Sequence, residues 1–86
     1  MRILLHRNFE KNYEKLKKSE KQAFKERRDI FLKNPFDPIL NNHLLGGKYK
    51  GYRSINVTGD IRIIFEALDG DLVYFVTIDT HSNLYR

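Results

Sequence analysis

The dipeptide Asp69-Gly70 lies between two apolar runs and constrains the fold of this chain more than any other feature. Asp-Gly in this setting is typical of a two-residue turn that joins two antiparallel strands. We therefore predict strands over residues 60–68 and 71–79 that form a hairpin around this turn. The period of two in both runs agrees with that prediction.

The turn also predicts which side chains share a face of the hairpin. The expected apolar pairs are Ile61 with Ile78, Ile63 with Val76 and Phe65 with Tyr74. Because side chains alternate along a strand, these six residues share one face, which we interpret as the core face. The other face gathers polar residues at one end: Arg62 opposite Thr77, Asp60 opposite Asp79, and His81 beyond them.

The first part of the chain has a helical period. A short strand over residues 2–6 precedes a helix that Asn8 can cap and that continues through Lys18. A capping box of Ser19 and Gln22 begins a second helix, which ends at Asn34-Pro35. An irregular connection, residues 35–47, leads to a strand over 49–57. The expected order is β-α-α-β-β-β, an α+β fold with an antiparallel sheet packed against a helical hairpin.

The turn Thr58-Gly59-Asp60 leaves one orientation open. A three-residue loop with Gly59 in the left-handed region places Ile55 and Val57 in the core, and we prefer it to a two-residue loop. Lys50, Tyr52, Ser54 and Asn56 then share the face of Arg62. Arg53 points toward the core side unless a bulge near Gly51 rotates it.

Length, charge and composition narrow the class of protein. A chain of 86 residues forms one domain, residues 1–86, and without Cys it has neither disulfides nor thiolate metal sites. No apolar run approaches the roughly 20 residues that cross a bilayer, and the charged N-terminus is unlike a signal peptide, so we expect a cytoplasmic protein without a membrane partner. Residues 1–48 carry 12 basic and 6 acidic side chains, net +6, and residues 49–86 carry 4 and 5, net −1. The basic half indicates either attraction to nucleic acid or a solvated helix face.

The polar cluster on the sheet suggests a chemistry. The His and Asp spacings match no metal motif, Ser54 and Ser82 lack a nucleophile motif, and Gly46-Gly47-Lys48 lacks the spacing of a phosphate loop. RNA cleavage without a metal or other cofactor fits better, since the ribose 2′-hydroxyl attacks and the protein supplies a base, an acid and cations. From the residues alone, a binding surface with mutually paired charges fits equally well.

Three segments resemble the RelE/ParE toxin superfamily, and most of all its YafQ branch. They are His43 to Arg53 (HLLGGKYKGYR), Asp60 to Phe65 (DIRIIF) and Thr80 to Tyr85 (THSNLY). The resemblance implies a toxin of a type II toxin–antitoxin system, a small endoribonuclease that cleaves mRNA on the translating ribosome without metal. It also implies a cognate antitoxin, and mRNA and ribosomal RNA as further partners. The sequence departs from the YafQ pattern at Asn56, Ile61 and Thr77, where a His, an aromatic residue and an Arg are common.

The resemblance and the predicted strand register together select the candidate site. The catalytic candidates are His81 and His43, which would exchange protons, with Asp60 and Arg62. The RNA-binding candidates are Lys48, Lys50, Arg53, Asn56 and Tyr85. His6 is expected to be an ordinary surface or hydrogen-bonded side chain.

Two alternatives belong to other classes of function. A ParE-like toxin would share the fold and inhibit DNA gyrase by binding, without a need for His43 and His81. A non-catalytic RNA-binding or partner-binding module would use Asp60, Arg62 and Asp79 as a structural ion-pair cluster.

Overall fold

The computed structural model describes all 86 residues, Met1–Arg86, as three helices and five strands. The helices are α1 (Arg7–Glu14), α2 (Lys18–Lys33) and the one-turn α3 (His81–Leu84). The strands are β1 (Arg2–Leu5), β2 (His43–Leu44), β3 (Arg53–Asn56), β4 (Ile61–Ala67) and β5 (Leu72–Thr80). The helix-hairpin-then-sheet order confirms the predicted α+β fold, whereas β2 and α3 were not predicted. No helix combines the length and apolar character needed to span a membrane.

The five strands form one mixed sheet in the order β1-β5-β4-β3-β2. β1 runs parallel to β5, and the other neighbouring strands are antiparallel. The expectation of an antiparallel sheet was therefore wrong for the edge strand. Parallel neighbours need a long crossover, and the helical hairpin and the rest of the sheet lie between β1 and β5 in the chain.

The β4–β5 hairpin has a different register from the predicted one. Leu68 N donates to Leu72 O at 2.9 Å, so the loop has three residues, with Gly70 in the left-handed region at φ 67°. A bulge between Ile64 and Phe65 in the pairing then shifts the register again, and Ile63 pairs with Ile78. Such a bulge sets one extra residue of a strand against its partner.

This register buries a different set of β5 side chains. Val73, Phe75 and Ile78 are buried, whereas the predicted Tyr74 and Val76 are only half-buried. The aromatic ring of Phe75 explains the choice, because it lies 5.6–6.4 Å from the rings of Phe9, Phe24, Phe31 and Phe65. The packing of Phe75 against the helices therefore outweighs the preference of Asp69-Gly70 for a two-residue turn.

Both helices begin at residues other than those predicted. His6 caps α1, with its Nδ1 accepting from Asn8 N at 2.9 Å, so Asn8 lies inside the first turn. The backbone N of Lys17 donates to Glu20 Oε1 at 2.8 Å and closes the first turn of α2, which places Ser19 within the helix. These two helices cover one face of the sheet and share with it a core cluster of 12 buried residues. We call this face the helix-covered face and the opposite one the cleft face.

Candidate active site

The cleft face contains an open cleft of about 370 Å³, a volume within the roughly 300–1,000 Å³ of typical ligand sites. We call it the polar cleft, and its lining residues are Asn41, His43, Leu45, Ser54, Arg62, His81 and Tyr85. Four of the nine candidate residues therefore meet in one place, from three separate segments of the chain. They are His43, Arg62, His81 and Tyr85.

His43 is held by the backbone two residues before it. Its Nδ1 lies 2.8 Å from Asn41 O. A carbonyl oxygen can only accept, so Nδ1 carries a proton in this bond, and Nε2 is the ring nitrogen that no protein group contacts. Asn41 adopts the left-handed region, φ 48°, at the end of the 3-10 turn Pro38–Leu40. Asn tolerates this conformation better than most residues do.

Arg62 is anchored through one nitrogen and leaves the others unbonded. Its Nη1 donates to the carbonyls of Thr58 and Gly59, both at 3.0 Å, in the β3–β4 turn. Neither Nε nor Nη2 has a hydrogen-bond partner in the protein. Since a guanidinium carries five N–H donors in a planar fork, the free edge can hold an anionic oxygen pair.

His81 begins α3, and two contacts fix its backbone. Thr80 Oγ1 accepts from Asn83 N at 3.1 Å and caps this helix. His81 N donates to Asp60 O at 2.9 Å and ties the helix start to the β3–β4 turn. The exposed imidazole has no hydrogen-bond partner, and its centre lies 4.7 Å from the ring of Tyr85. Both ring nitrogens of His81 are therefore accessible to a ligand in the cleft.

The two carboxylates of the predicted cluster do not enter the polar cleft. Asp60 is exposed, and its side chain makes no hydrogen bond or ion pair. Asp79 Oδ1 accepts from Thr80 N at 2.8 Å and from Asn83 Nδ2 at 3.0 Å, and it lines a separate cavity beside α1. The predicted convergence was wrong for Asp79, because its carboxylate is bonded to Thr80 N and Asn83 Nδ2 at the start of α3, although its backbone pairs with Arg62.

The same observation bears on the ion-pair alternative. The one salt bridge in the structure joins Arg28 and Asp29 at 3.4 Å on α2. Asp60, Arg62 and Asp79 therefore do not form the structural ion-pair cluster that a non-catalytic module was expected to have. No group of three or more His, Asp or Glu side chains lies close enough together to hold a metal ion.

The two lysines predicted to bind RNA lie outside the lining of the polar cleft. Lys48 Nζ lies 3.4 Å from the Arg86 carbonyl and 5.2 Å from the centre of the Tyr49 ring, which itself contacts Tyr85 at 5.9 Å. Lys50 is exposed at the end of the 3-10 turn Gly47–Tyr49. Lys48 is thus connected to the cleft through the tyrosine pair.

The other two RNA-binding candidates lie in β3. Arg53 donates from Nε to Asn42 Oδ1 at 2.7 Å and lies 5.4 Å over the ring of Phe36, which settles its open orientation away from the cleft. Asn56 pairs directly with Arg62 in β4. Its Oδ1 is buried and has no hydrogen-bond partner.

Three residues of the polar cleft were not among the candidates: Asn41, Leu45 and Ser54. Ser54 had been placed on the face of Arg62 by its position in β3, and a hydroxyl in an apolar strand was the signal to follow. Asn41 gave a weaker signal, an Asn after a Pro-containing turn, since its contribution is a backbone carbonyl that no side-chain pattern reveals.

Tyr49, which lies beside the cleft, has a raised pKa. Burial raises the pKa of its hydroxyl above the usual value, and the charges of Tyr85 and Asp79 raise it further. The Tyr49 hydroxyl is therefore neutral at physiological pH and available as a hydrogen-bond donor.

The chain has the fold of the RelE-like class of small proteins. YafQ from E.coli strain BL21(DE3) matches with a TM-score of 0.82 and 24% identity over 99% of this chain and 98% of that one. A chain of the E. coli DinJ-YafQ toxin–antitoxin complex matches with 0.79 and 24% over 99% and 97%. A chain of the archaeal RelE-RelB complex from Pyrococcus horikoshii OT3 matches with 0.73 and 21% over 92% of both chains. At these identities the likeness establishes the fold.

The sequence establishes the family. The model of the YafQ toxin family, a bacterial toxin of type II toxin–antitoxin systems, matches residues 1–86. This chain belongs to the YafQ family of bacterial toxins of type II toxin–antitoxin systems, which confirms the resemblance seen in the three motif segments. None of the curated proteins matches the sequence.

Proposed function

We propose that this toxin is an endoribonuclease that cleaves mRNA at the translating ribosome with its own side chains. The observation that carries the proposal is the meeting of His43, Arg62 and His81 in one polar cleft. A base, an acid and a cation are the three groups that RNA cleavage by the 2′-hydroxyl requires.

The hydrogen bond of His43 supports a role for this residue as the base and leaves His81 as the acid. With Nδ1 bonded to the Asn41 carbonyl, His43 Nε2 accepts the proton of the ribose 2′-hydroxyl. The 2′-oxygen then bonds to phosphorus, and the bond from phosphorus to the 5′-oxygen breaks. Protonated His81 donates to that leaving oxygen, so that the products are a 2′,3′-cyclic phosphate and a 5′-hydroxyl. After this step His43 is protonated and His81 is neutral, so the two histidines have exchanged protonation states.

The other candidates hold the RNA or the site. Arg62 stabilises the phosphate with the guanidinium edge that no protein group occupies, and Tyr85 stacks on a base. Lys48 and Lys50 attract the flanking phosphates from their exposed positions. Three further candidates support the site. The Asp60 carbonyl fixes the start of α3, Arg53 fixes the segment before His43, and Asn56 lies beside Arg62 in the sheet.

A cognate antitoxin is the proposed protein partner. Relatives of this fold occur in the DinJ-YafQ and RelE-RelB toxin–antitoxin complexes. An antitoxin with acidic or apolar helical segments would bind over the toxin and block RNA. Co-expression of a short neighbouring reading frame should suppress growth arrest by this chain.

Cleavage of mRNA on translating ribosomes tests the activity. We expect the wild type to cleave and His81→Ala to lose about 10²–10⁴-fold in rate, as is usual for a lost general acid. The matched control is His6→Asn, which keeps an acceptor at the α1 cap outside the cleft and should cleave as the wild type does. Wild-type cleavage by His81→Ala would overturn the mechanism. Toxicity that survives loss of both cleft histidines and causes DNA damage would instead support a ParE-like gyrase inhibitor.

A further inference from the structure

The side chain of Ser54 is buried without a hydrogen-bond partner. The residue is 0% exposed, and its Oγ is one of two buried side-chain polar atoms in the chain that no group satisfies. The large majority of buried polar atoms in native proteins are paired, because an unpaired one keeps the cost of leaving water. An orphaned hydroxyl at this place therefore calls for a partner that arrives with a ligand.

Ser54 lies at the floor of the polar cleft, between the groups assigned to chemistry. In the sheet it pairs with His43 of β2 on one side and with Ile64 of β4 on the other. Arg62 is its diagonal neighbour on the same face, at a separation that a long side chain spans. The hydroxyl is thus close to both the proposed base and the proposed phosphate-binding cation.

We propose that Ser54 Oγ donates a hydrogen bond to a non-bridging oxygen of the RNA phosphate that Arg62 holds. This inference rests on the proposed function and names a substrate contact that the candidate set lacked. A phosphate oxygen accepts from a hydroxyl and a guanidinium at once, and charge-assisted bonds of this kind are the strong ones. Ser54 lines the polar cleft together with the exposed side chains of His43 and Tyr85. Rotation of the Tyr85 ring gives RNA access to the hydroxyl while His43 keeps its bond to Asn41.

A structural role and a binding role of this hydroxyl predict opposite results for Ser54→Ala. The wild-type hydroxyl makes no bond within the protein, so its removal leaves the thermal midpoint unchanged or higher. RNA binding should weaken by about tenfold to a hundredfold, the usual effect of losing a hydrogen bond to a charged group.

Thr77→Val is the matched control, since it removes a hydroxyl that is paired. Thr77 Oγ1 accepts from Asn12 Nδ2 of α1 at 3.0 Å, outside the polar cleft. This variant should lower the thermal midpoint and keep RNA binding at the wild-type level, the reverse of Ser54→Ala.

An NMR titration with a short 2′-O-methyl RNA, which binds but cannot react, measures the contact apart from cleavage. We expect saturable binding by the wild type and by Thr77→Val, and a Kd at least about tenfold higher for Ser54→Ala. Equal Kd values for Ser54→Ala and the wild type, or no saturable binding by the wild type, would overturn the proposal. Ser54-dependent binding by a wild type that never cleaves mRNA would sustain the contact and reject the nuclease.

Discussion

The two faces of the sheet treat their polar groups in opposite ways. On the helix-covered face, Thr77 is bonded to Asn12, and aromatic rings pack around Phe75. On the cleft face, Ser54 and Asn56 keep unpaired buried atoms, and Arg62 uses one nitrogen out of three. The polar group of the first face is paired within the protein, whereas polar groups of the second face are left without a protein partner.

The difference separates stability from activity within a domain of 86 residues. A small domain has one core, so most of its stability depends on the helix-covered face. The cleft face retains unsatisfied groups at a cost in stability, as functional sites commonly do. Substitutions on the helix-covered face should therefore lower the free energy of unfolding, whereas substitutions on the cleft face should lower RNA binding or cleavage.

The largest effect is expected from the histidine that the proposal makes the base. His43→Ala should lower the rate of mRNA cleavage by about 10²–10⁴-fold, because the proposed mechanism uses His43 to accept the 2′-hydroxyl proton. Its thermal midpoint should stay near that of the wild type, since His43 is exposed. Single-turnover cleavage and thermal unfolding measure the two quantities. A folded His43→Ala that cleaves normally would remove the chemical half of the comparison.

Phe75→Ala should have the opposite profile. Loss of this buried ring should reduce the free energy of unfolding by about 3–5 kcal/mol, because four neighbouring rings lose their partner. Urea unfolding measures the change. The milder Phe75→Leu, which keeps most of the volume, should fold and cleave mRNA at the wild-type rate. Impaired cleavage by a stably folded Phe75→Leu would show that the faces are not independent.

Substitution of two arginines, one on each face, should have smaller effects on RNA binding that differ between the faces. Arg62→Gln should weaken binding of 2′-O-methyl RNA by about tenfold to a hundredfold, since it removes the charged partner of the phosphate. Arg53→Gln changes the same side chain on the other face, where Arg53 bonds Asn42 and covers Phe36, and should have a much weaker effect on binding. Equal losses for both variants in the NMR titration would contradict the assignment of the two faces.

The smallest expected effect is a pH dependence at Tyr49. Its pKa is raised in the folded protein above the usual 10.0, so below pH 10 folded and unfolded forms are both neutral and stability is unaffected. As the pH rises through 10, the unfolded chain loses this proton first, and folding stability falls until the folded pKa is passed. Tyr49→Phe should lose less stability than the wild type between pH 9 and 11 in urea unfolding. Parallel losses would show that Tyr49 is not the group concerned.

The sequence carried most of the fold, because its strongest signals are local. The Asp69-Gly70 turn and the change of period place the helices and the strands β3 to β5 close to where they lie. The hairpin register was wrong because the burial of Phe75 and Ile78 required a bulge, and that choice depends on helices distant in sequence. The residues of a turn alone therefore cannot predict a strand register that depends on tertiary packing.

The site divides in the same way. His43, Arg62, His81 and Tyr85 were selected from the sequence and line one cleft. Ser54 and the Asn41 carbonyl were missed, because an unpaired hydroxyl and a backbone acceptor become visible only when neighbouring strands are in place. The separation of Asp79 from the cleft follows from its bonds to α3, a helix that the sequence analysis did not predict.

The central claim, that His43 is the base and His81 the acid, is tested most directly with a modified mRNA. Sulfur in place of the 5′-bridging oxygen of the scissile phosphate gives a leaving group that departs without protonation. On programmed ribosomes, we expect this substrate to restore cleavage by His81→Ala to near the wild-type rate and to leave His43→Ala inactive. Restoration of His43→Ala, or of neither variant, would contradict the account.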